Sequence, residues 1–83
     1  MRLLYFAWVR EKVGTGEEVV TPPAGVTTVG ALLDHLKGLS PRHAAALEDR
    51  AALRIAVNQD FATDDTAVGA ADEVAIFPPV TGG

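Results

Sequence analysis

The feature that most constrains the fold is a single clear helical stripe. Apolar residues recur at intervals of three and four positions at Val29, Leu32, Leu33 and Leu36. This spacing places all four on one side of an α-helix. Thr27 or Thr28 can cap its start, and Gly38 suits its end. Since 83 residues can bury only one core, we expect one main helix to lie across one face of a sheet.

Strand-like segments lie on both sides of this helix in the sequence. The expected strands are residues 2–9, 17–21, 53–57 and 73–77, with a brief one near 61–63. Gly14-Thr15-Gly16 lies between the first two strands and has neither a following helix nor a Lys-Ser/Thr pair, so it indicates a turn rather than a phosphate loop. Residues 41–47 suit a short turn or helix. The order predicts an α+β, ubiquitin-like β-grasp fold: a mixed sheet of four to five strands with one main helix packed on one face.

Alternation along the strands predicts which side chains face the helix. The expected inward set is Leu3, Tyr5, Leu53, Ile55, Val57, Val74 and Ile76. On that assignment Phe6, Trp8 and Phe77 point to the opposite face. Burying one Phe is worth roughly 1.5–3 kcal/mol, so several on a face without a helix indicate a partner surface.

Composition narrows the classes of partner and of chemistry. A net charge of −4 without a basic run argues against nucleic acid and against anionic membranes. No apolar stretch approaches about 18 residues and no signal-peptide pattern is present, so we expect a cytoplasmic protein that does not engage a membrane. The chain has no cysteine, which excludes disulfides, thiolate metal sites and a cysteine nucleophile.

The chain ends on Phe77-Pro78-Pro79-Val80-Thr81-Gly82-Gly83. Proline has no N–H donor, so the pair ends the last strand and directs the chain into an extended course. Six extended residues span at most about 20 Å. We expect a β-grasp domain over residues 1–77 and an extended Gly-Gly tail over residues 78–83 that carries its carboxylate to another protein.

Three motifs resemble the small subunit of molybdopterin synthase, a family of ubiquitin-like sulfur carriers. They are Phe6-Ala7-x-Val9-Arg10-Glu11-x-x-Gly14, Ala56-Val57-Asn58-Gln59 and the run from Asp72 to Gly83. The similarity covers nearly the whole chain. Gly69-Ala70-Ala71-Asp72 departs from the usual Asp-Gly-Asp turn, and Phe61 stands where an aliphatic residue is common.

The resemblance implies a catalytic role for the carboxylate of Gly83. In the family an adenylyltransferase of the ubiquitin-activating type uses ATP to adenylate this carboxylate, and a sulfurtransferase supplies the sulfur that makes it a thiocarboxylate. The large synthase subunit then uses that sulfur to convert cyclic pyranopterin monophosphate into the dithiolene of molybdopterin. The chain itself is expected to bind no cofactor and no metal, and the acid–base groups lie on the large subunit of a heterotetramer.

The resemblance also implies contact positions for the large subunit. Phe6, Phe61 and Phe77 match apolar contacts of the family. The positions expected to line the channel of that subunit are Pro78, Pro79, Val80, Thr81 and Gly82.

Other functions remain open from the sequence. A Gly-Gly end also fits a sulfur carrier for thiamine or for tRNA thiolation, a ubiquitin-like protein modifier, or a plain interaction domain. His35 and His43 have no metal-ligand spacing, so we expect surface histidines. The acidic pairs Asp64-Asp65 and Asp72-Glu73 have no metal-ligand spacing, so we expect solvent-exposed carboxylates rather than a cation site or an acid–base pair.

Overall fold

The structure is a computed structural model that describes residues 1–79. Within that range it has five strands, three α-helices and one 3-10 turn. The strands are β1 (Arg2–Tyr5), β2 (Glu17–Val19), β3 (Arg54–Val57), β4 (Asp60–Ala62) and β5 (Glu73–Phe77). The helices are α1 (Ala7–Val13), α2 (Val29–Lys37) and α3 (Pro41–Leu47), and the 3-10 turn is Arg50–Ala52.

The five strands form one mixed sheet in the order β2-β1-β5-β3-β4. β1 and β5 are parallel, and the other neighbouring pairs are antiparallel. Because β5 lies between β1 and β3, the first and last strands of the described residues are neighbours at the centre of the sheet. The predicted α+β β-grasp fold is confirmed. Of the three helices in the described residues, α2 is the predicted main helix, α3 is the short helix suggested at residues 41–47, and α1 was not predicted.

Helix α2 covers one face of the sheet as its stripe predicts. The Thr28 hydroxyl accepts a hydrogen bond from the Ala31 N–H at 3.2 Å, which caps the first turn. The four stripe residues are buried: Val29, Leu32, Leu33 and Leu36. All seven strand residues expected to face the helix are buried as well: Leu3, Tyr5, Leu53, Ile55, Val57, Val74 and Ile76. Alternation therefore assigned the core face of the sheet correctly.

The predicted strand over residues 2–9 is wrong beyond Tyr5, because the chain turns there into α1. Phe6 is the extended N-cap, and Ala7 follows with a positive φ of 52°. Val9 and Val13, four residues apart, are the buried side of this helix. Gly14 ends it at φ 98° and donates its N–H to the carbonyl of Arg10.

Trp8 consequently does not lie on the sheet face where alternation placed it. It is half-buried on α1, where it packs against the edge of the core. Lys12 Nζ lies 5.1 Å from the centre of its ring, within cation–π range. This correction removes Trp8 from the aromatic residues that could mark a partner surface.

The β3–β4 connection is a two-residue turn made by Asn58 and Gln59. Both have positive φ, 50° and 73°, as a type I′ turn requires. Asn tolerates this region because its short side chain bonds locally, whereas Gln pays a steric cost there. The Gln59 side chain is exposed and is not needed for packing.

Asn58 also joins this turn to the start of β5. Its N–H donates to the Glu73 carbonyl at 2.8 Å, and its side-chain oxygen accepts from the Glu73 N–H at 3.0 Å. Its amide Nδ2 donates to Asp72 Oδ1 at 3.0 Å, while the Gly69 N–H donates to Asp72 Oδ2 at 2.8 Å. The departure from the family turn at residues 69–72 thus still closes on an aspartate.

Replacing Gln59 by Gly should stabilise the fold. Glycine adopts positive φ without steric cost, and this gain exceeds its larger unfolded-state entropy, for a net effect of about 0.5 kcal/mol. Urea unfolding of the two proteins measures the difference. Gln59→Ala is the matched control and should change the free energy of unfolding little, since alanine keeps the strain. Equal stabilisation by both substitutions would contradict the turn assignment.

Asp72 should make the fold sensitive to acid. Hydrogen bonds from Asn58 and from the Gly69 N–H hold the pKa of the Asp72 carboxyl below its usual value. Its stabilisation is therefore present above the unfolded-state pKa, about 4, and is lost as pH falls through the lower folded-state pKa. Urea unfolding between neutral pH and pH 3 should show a shallower pH dependence for Asp72→Asn than for the native chain.

Asp65→Asn provides the control for this loss of charge. Asp65 is an exposed loop carboxylate whose side chain makes no hydrogen bond to residues 1–79. The Asp65→Asn substitution should therefore leave the pH dependence of the free energy of unfolding nearly unchanged. A flattening as large as that caused by Asp72→Asn would remove the link to the Asn58 turn.

Candidate functional site

The sheet face opposite α2, here called the open face, carries an apolar band across four strands. Strand register places Leu4 beside Ala75, Ala75 beside Ala56, and Ala56 beside Phe61. Residues paired in this way point to the same side of a sheet. Phe61 lies on the edge strand β4 and keeps 84% of its surface exposed. An apolar band that ends in an exposed aromatic ring is suited to contact with another protein.

The three phenylalanines predicted as contact positions lie at or next to this band. The ring centres of Phe61 and Phe77 are 6.2 Å apart, within the range of aromatic pairs. Phe6 follows β1 and donates its N–H to the carbonyl of Ile76, so its backbone adjoins the end of β5. Phe6 is 48% exposed and Phe77 is half-buried. The structure therefore brings these positions to the same end of the sheet.

A cluster of charges occupies the opposite end of the open face. Arg2 on β1 is paired with Glu73 on β5, and its side chain also reaches Glu17 on β2, which is paired with Leu4. Its guanidinium is 2.7 Å from the Glu17 carboxylate and 3.4 Å from that of Glu73. Exposed pairs of this kind contribute little to stability, because water screens the two charges. These charged side chains make one end of the open face polar, and the aromatic side chains lie at its opposite end.

The chain leaves the sheet at the aromatic end. Pro78 is half-buried directly after β5, and Pro79 is exposed. The predicted reactive Gly83 lies outside the described residues. So do three of the predicted channel-lining positions, Val80, Thr81 and Gly82. Phe6, Phe61, Phe77 and the two prolines are thus the predicted site residues that the structure places.

A polar cluster beneath α3 was missed from the sequence. Glu18 Oε2 accepts a hydrogen bond from the Tyr5 hydroxyl at 2.9 Å and lies 2.7 Å from His43 Nε2. His43 Nδ1 lies 2.7 Å from the Ser40 hydroxyl, whose oxygen also accepts the His43 N–H and caps α3. Burial and the neighbouring Glu18 carboxylate raise the pKa of Tyr5.

His43 is therefore not the surface histidine that the sequence suggested. Its side chain is only 12% exposed, and its ring lies edge-on to that of Tyr5. A serine, a histidine and a carboxylate in contact resemble a catalytic triad, but the Ser40 oxygen accepts a hydrogen bond as the N-cap of α3. The cluster joins β2 to α3. His43 and Glu18 are 25 positions apart, and no sequence spacing connects them.

The described residues, 1–79, combine an apolar open face with the point at which the chain leaves the sheet. Among residues 1–79 no group of three or more His, Cys, Asp or Glu side chains is arranged to hold a metal ion. None of the helices found there is both long enough and apolar enough to cross a bilayer. An apolar face of this kind is suited to contact with another protein.

Comparisons with known proteins agree on a family. The model of the ThiS family matches residues 3–83. The molybdopterin synthase sulfur carrier subunit of Escherichia coli (strain K12) is 48% identical over 83 residues, covering 100% of this chain and 99% of that protein. The protein of the same name from Haemophilus influenzae is 36% identical over 83 residues with the same coverage.

Solved structures support the same conclusion. The crystal structure of the small archaeal modifier protein 1 from Haloferax volcanii matches with a TM-score of 0.77 at 35% identity, covering 100% of this chain and 98% of that chain. A putative molybdopterin converting factor, subunit 1, from Pyrococcus furiosus also has a TM-score of 0.77, at 31% identity and 95% coverage of both chains. By sequence along its length and by fold, this chain belongs to the ThiS family, together with the molybdopterin synthase sulfur carrier subunits.

Proposed function

We propose that this chain is the sulfur carrier subunit of a molybdopterin synthase. The observation that carries the proposal is the end-to-end match to a carrier of that name, 48% identical over 83 residues. A β-grasp domain over residues 1–77 presents the docking face, and a tail over residues 78–83 carries the reactive terminus. The cycle takes place in the cytoplasm, where ATP is available.

The terminal carboxylate of Gly83 requires activation before it can accept sulfur, because a carboxylate is a poor electrophile. An adenylyltransferase of the ubiquitin-activating type transfers AMP from ATP to this oxygen and releases pyrophosphate. Sulfur from a sulfurtransferase, at the oxidation level of sulfide, then attacks the carbonyl carbon and displaces AMP. The product is a thiocarboxylate, which stores sulfur on a chain that has no cysteine.

The large subunit is proposed to receive this terminus. Two successive carriers each give one sulfur to cyclic pyranopterin monophosphate, and each leaves with its carboxylate restored. Contacts with Phe6, Phe61 and Phe77 would seat the domain, because their apolar surface leaves water on docking. Residues 78–82 would line the channel, and their Pro78-Pro79 start limits the freedom that the tail loses on entry.

Removing the Phe61 ring should weaken docking without weakening the fold. Phe61 is 84% exposed, so Phe61→Ala should change the free energy of unfolding by less than about 0.5 kcal/mol. Its affinity for the purified large subunit should fall about tenfold if the ring is an interface anchor. Isothermal titration calorimetry measures the affinity, and urea unfolding measures the stability.

Leu39→Ala is the control for a lost exposed apolar side chain. Leu39 is 42% exposed and follows α2, on the side of the sheet away from Phe61. It should leave the affinity for the large subunit within about twofold, as expected of a residue outside the interface. An equal loss for both variants would contradict the assignment of the open face.

Sulfur loading should appear directly in the mass of the chain. Incubation with the activating enzyme, ATP and a sulfur source should replace one oxygen of Gly83 by sulfur, and mass spectrometry of the intact protein should detect the difference. A chain that lacks Gly83 is the control and should gain no sulfur. The activity of the activating enzyme is first verified with another carrier protein that it is known to load. If the mass of the full chain then stays unchanged, the proposal is refuted.

A second candidate function is that of a protein modifier. It is favoured by the fold match to the small archaeal modifier protein 1 at 35% identity. The same activated Gly83 carbonyl would then be attacked by a lysine amine rather than by sulfur, forming an isopeptide bond. Gly-Gly remnants on lysines of other proteins after proteolysis would support this function, and their dependence on Gly83 would assign them to this chain.

A further inference from the structure

Three of the five arginines have no acidic partner in the part of the chain described. Arg2 pairs with Glu17 and Glu73, and Arg50 pairs with Asp64 at 2.7 Å. Within residues 1–79 the remaining three form no ion pair: Arg10, Arg42 and Arg54. Unpaired guanidinium groups are unexpected by composition, because acidic residues outnumber basic ones 11 to 7.

All three arginines lie at the end of the sheet where the chain leaves β5. Arg54 begins β3 and is paired directly with Phe77, the last residue of β5. On the other side, the Tyr5 N–H donates to the Gly16 carbonyl, so the Gly14-Thr15-Gly16 turn flanks the end of β1. Two strand spacings separate this turn from β5, roughly 10 Å. The departure point is therefore bracketed by guanidinium groups on both sides.

Arg10 and Arg42 are held against the glycine turn. They line one polar groove together with Glu11, Gly14, Thr15 and Gly16. A Cβ atom at Gly14 would lie 2.9 Å from Arg42 Cζ, and one at Gly16 would lie 3.1 Å from Arg10 Nε. The absence of side chains at these glycines thus lets both arginines lie flat on the backbone.

Arg42 is fixed by hydrogen bonds to backbone carbonyls, and it forms no ion pair with residues 1–79. Its Nε donates to the Lys12 carbonyl at 3.0 Å, and its Nη2 donates to the Glu11 carbonyl at 3.0 Å. Both acceptors belong to the last turn of α1, where a cation is favoured by the helix dipole. Its Nη1 group makes no hydrogen bond to residues 1–79 and is free to donate to a ligand.

We propose that Arg10, Arg42 and Arg54 form an arginine bracket that binds acidic side chains of the large subunit around the mouth of the channel that receives the tail. This inference rests on the proposed function. Guanidinium groups match carboxylates in geometry and charge. The bracket adjoins the aromatic end of the open face, so docking there brings both surfaces against one partner. In an overall acidic carrier, its local positive charge orients the tail end toward that partner.

Charge reversal at single positions tests the bracket. Arg10→Glu and Arg54→Glu should each weaken binding of the purified large subunit about fivefold or more, and should reduce the salt dependence of the affinity. Lys37→Glu gives the same change in net charge on α2, across the core from the open face, and should stay within about twofold. Isothermal titration calorimetry at low and moderate salt measures these affinities, with urea unfolding to show that each variant is folded.

The outcomes separate this inference from the proposed function. Equal effects of Arg10→Glu, Arg54→Glu and Lys37→Glu would show a general charge effect and overturn the bracket alone. Weaker binding to the activating enzyme, with unchanged binding to the large subunit, would overturn the choice of partner. Failure of the native chain to bind the large subunit would overturn both.

Discussion

Parallel pairing between β1 and β5 is the interaction on which the rest of the structure depends. Its register joins Arg2 to Glu73 and Tyr5 to Ile76, which are separated by 71 positions along the chain. Parallel strands run in the same direction, so the ends of both reach the same edge of the sheet. The start of α1 and the departure of the tail are therefore neighbours, although they come from opposite ends of the sequence.

Hydrogen bonds stabilise this pairing at the start of the two strands, and burial of apolar side chains in the core stabilises it along the rest of their length. The Arg2 N–H donates to the Asp72 carbonyl at 3.1 Å, and Asn58 holds Glu73 from the neighbouring turn. Val74 and Ile76 are then fully buried beneath the helices. A one-residue slip would exchange the two faces of β5 and move Phe77 into the core. The position of the aromatic end is thus fixed by burial on the other side of the same strand.

The sequence predicts this core well because burial of one sheet face imposes a period of two. Leu53, Ile55 and Val57 alternate with exposed or small residues. This alternation fits a strand and does not fit the spacing of a helix. Residues 6–9 were predicted wrongly because an apolar run fits both a strand and a helix. In the folded chain, Ala7 adopts a positive φ that ends the strand and begins the helix. Packing of Val9 and Val13 onto the core stabilises this helix. That packing is tertiary, so local preference does not reveal it.

The polar features of the site depend still more on the assembled fold. Ser40 is readable as a helix cap, but its bond to His43 and the contact of His43 with Glu18 exist only after α3 docks beside β2. The arginine bracket is of the same kind: Arg10, Arg42 and Arg54 come from two helices and a strand, and only the assembled fold brings them to one end of the sheet.

A carrier of this design has two opposing requirements. Its partner surface must be apolar enough to dock, yet a small domain that exposes a continuous apolar face tends to associate with itself. The open face meets both by using alanines at its centre, Ala56 and Ala75, and by keeping the large exposed ring of Phe61 at an edge. Small central side chains bury little area in a chance encounter. In the docking proposed above, the aromatic end, the unpaired arginines and the tail act together, so strong binding is expected only with a partner that offers a complementary surface for all three.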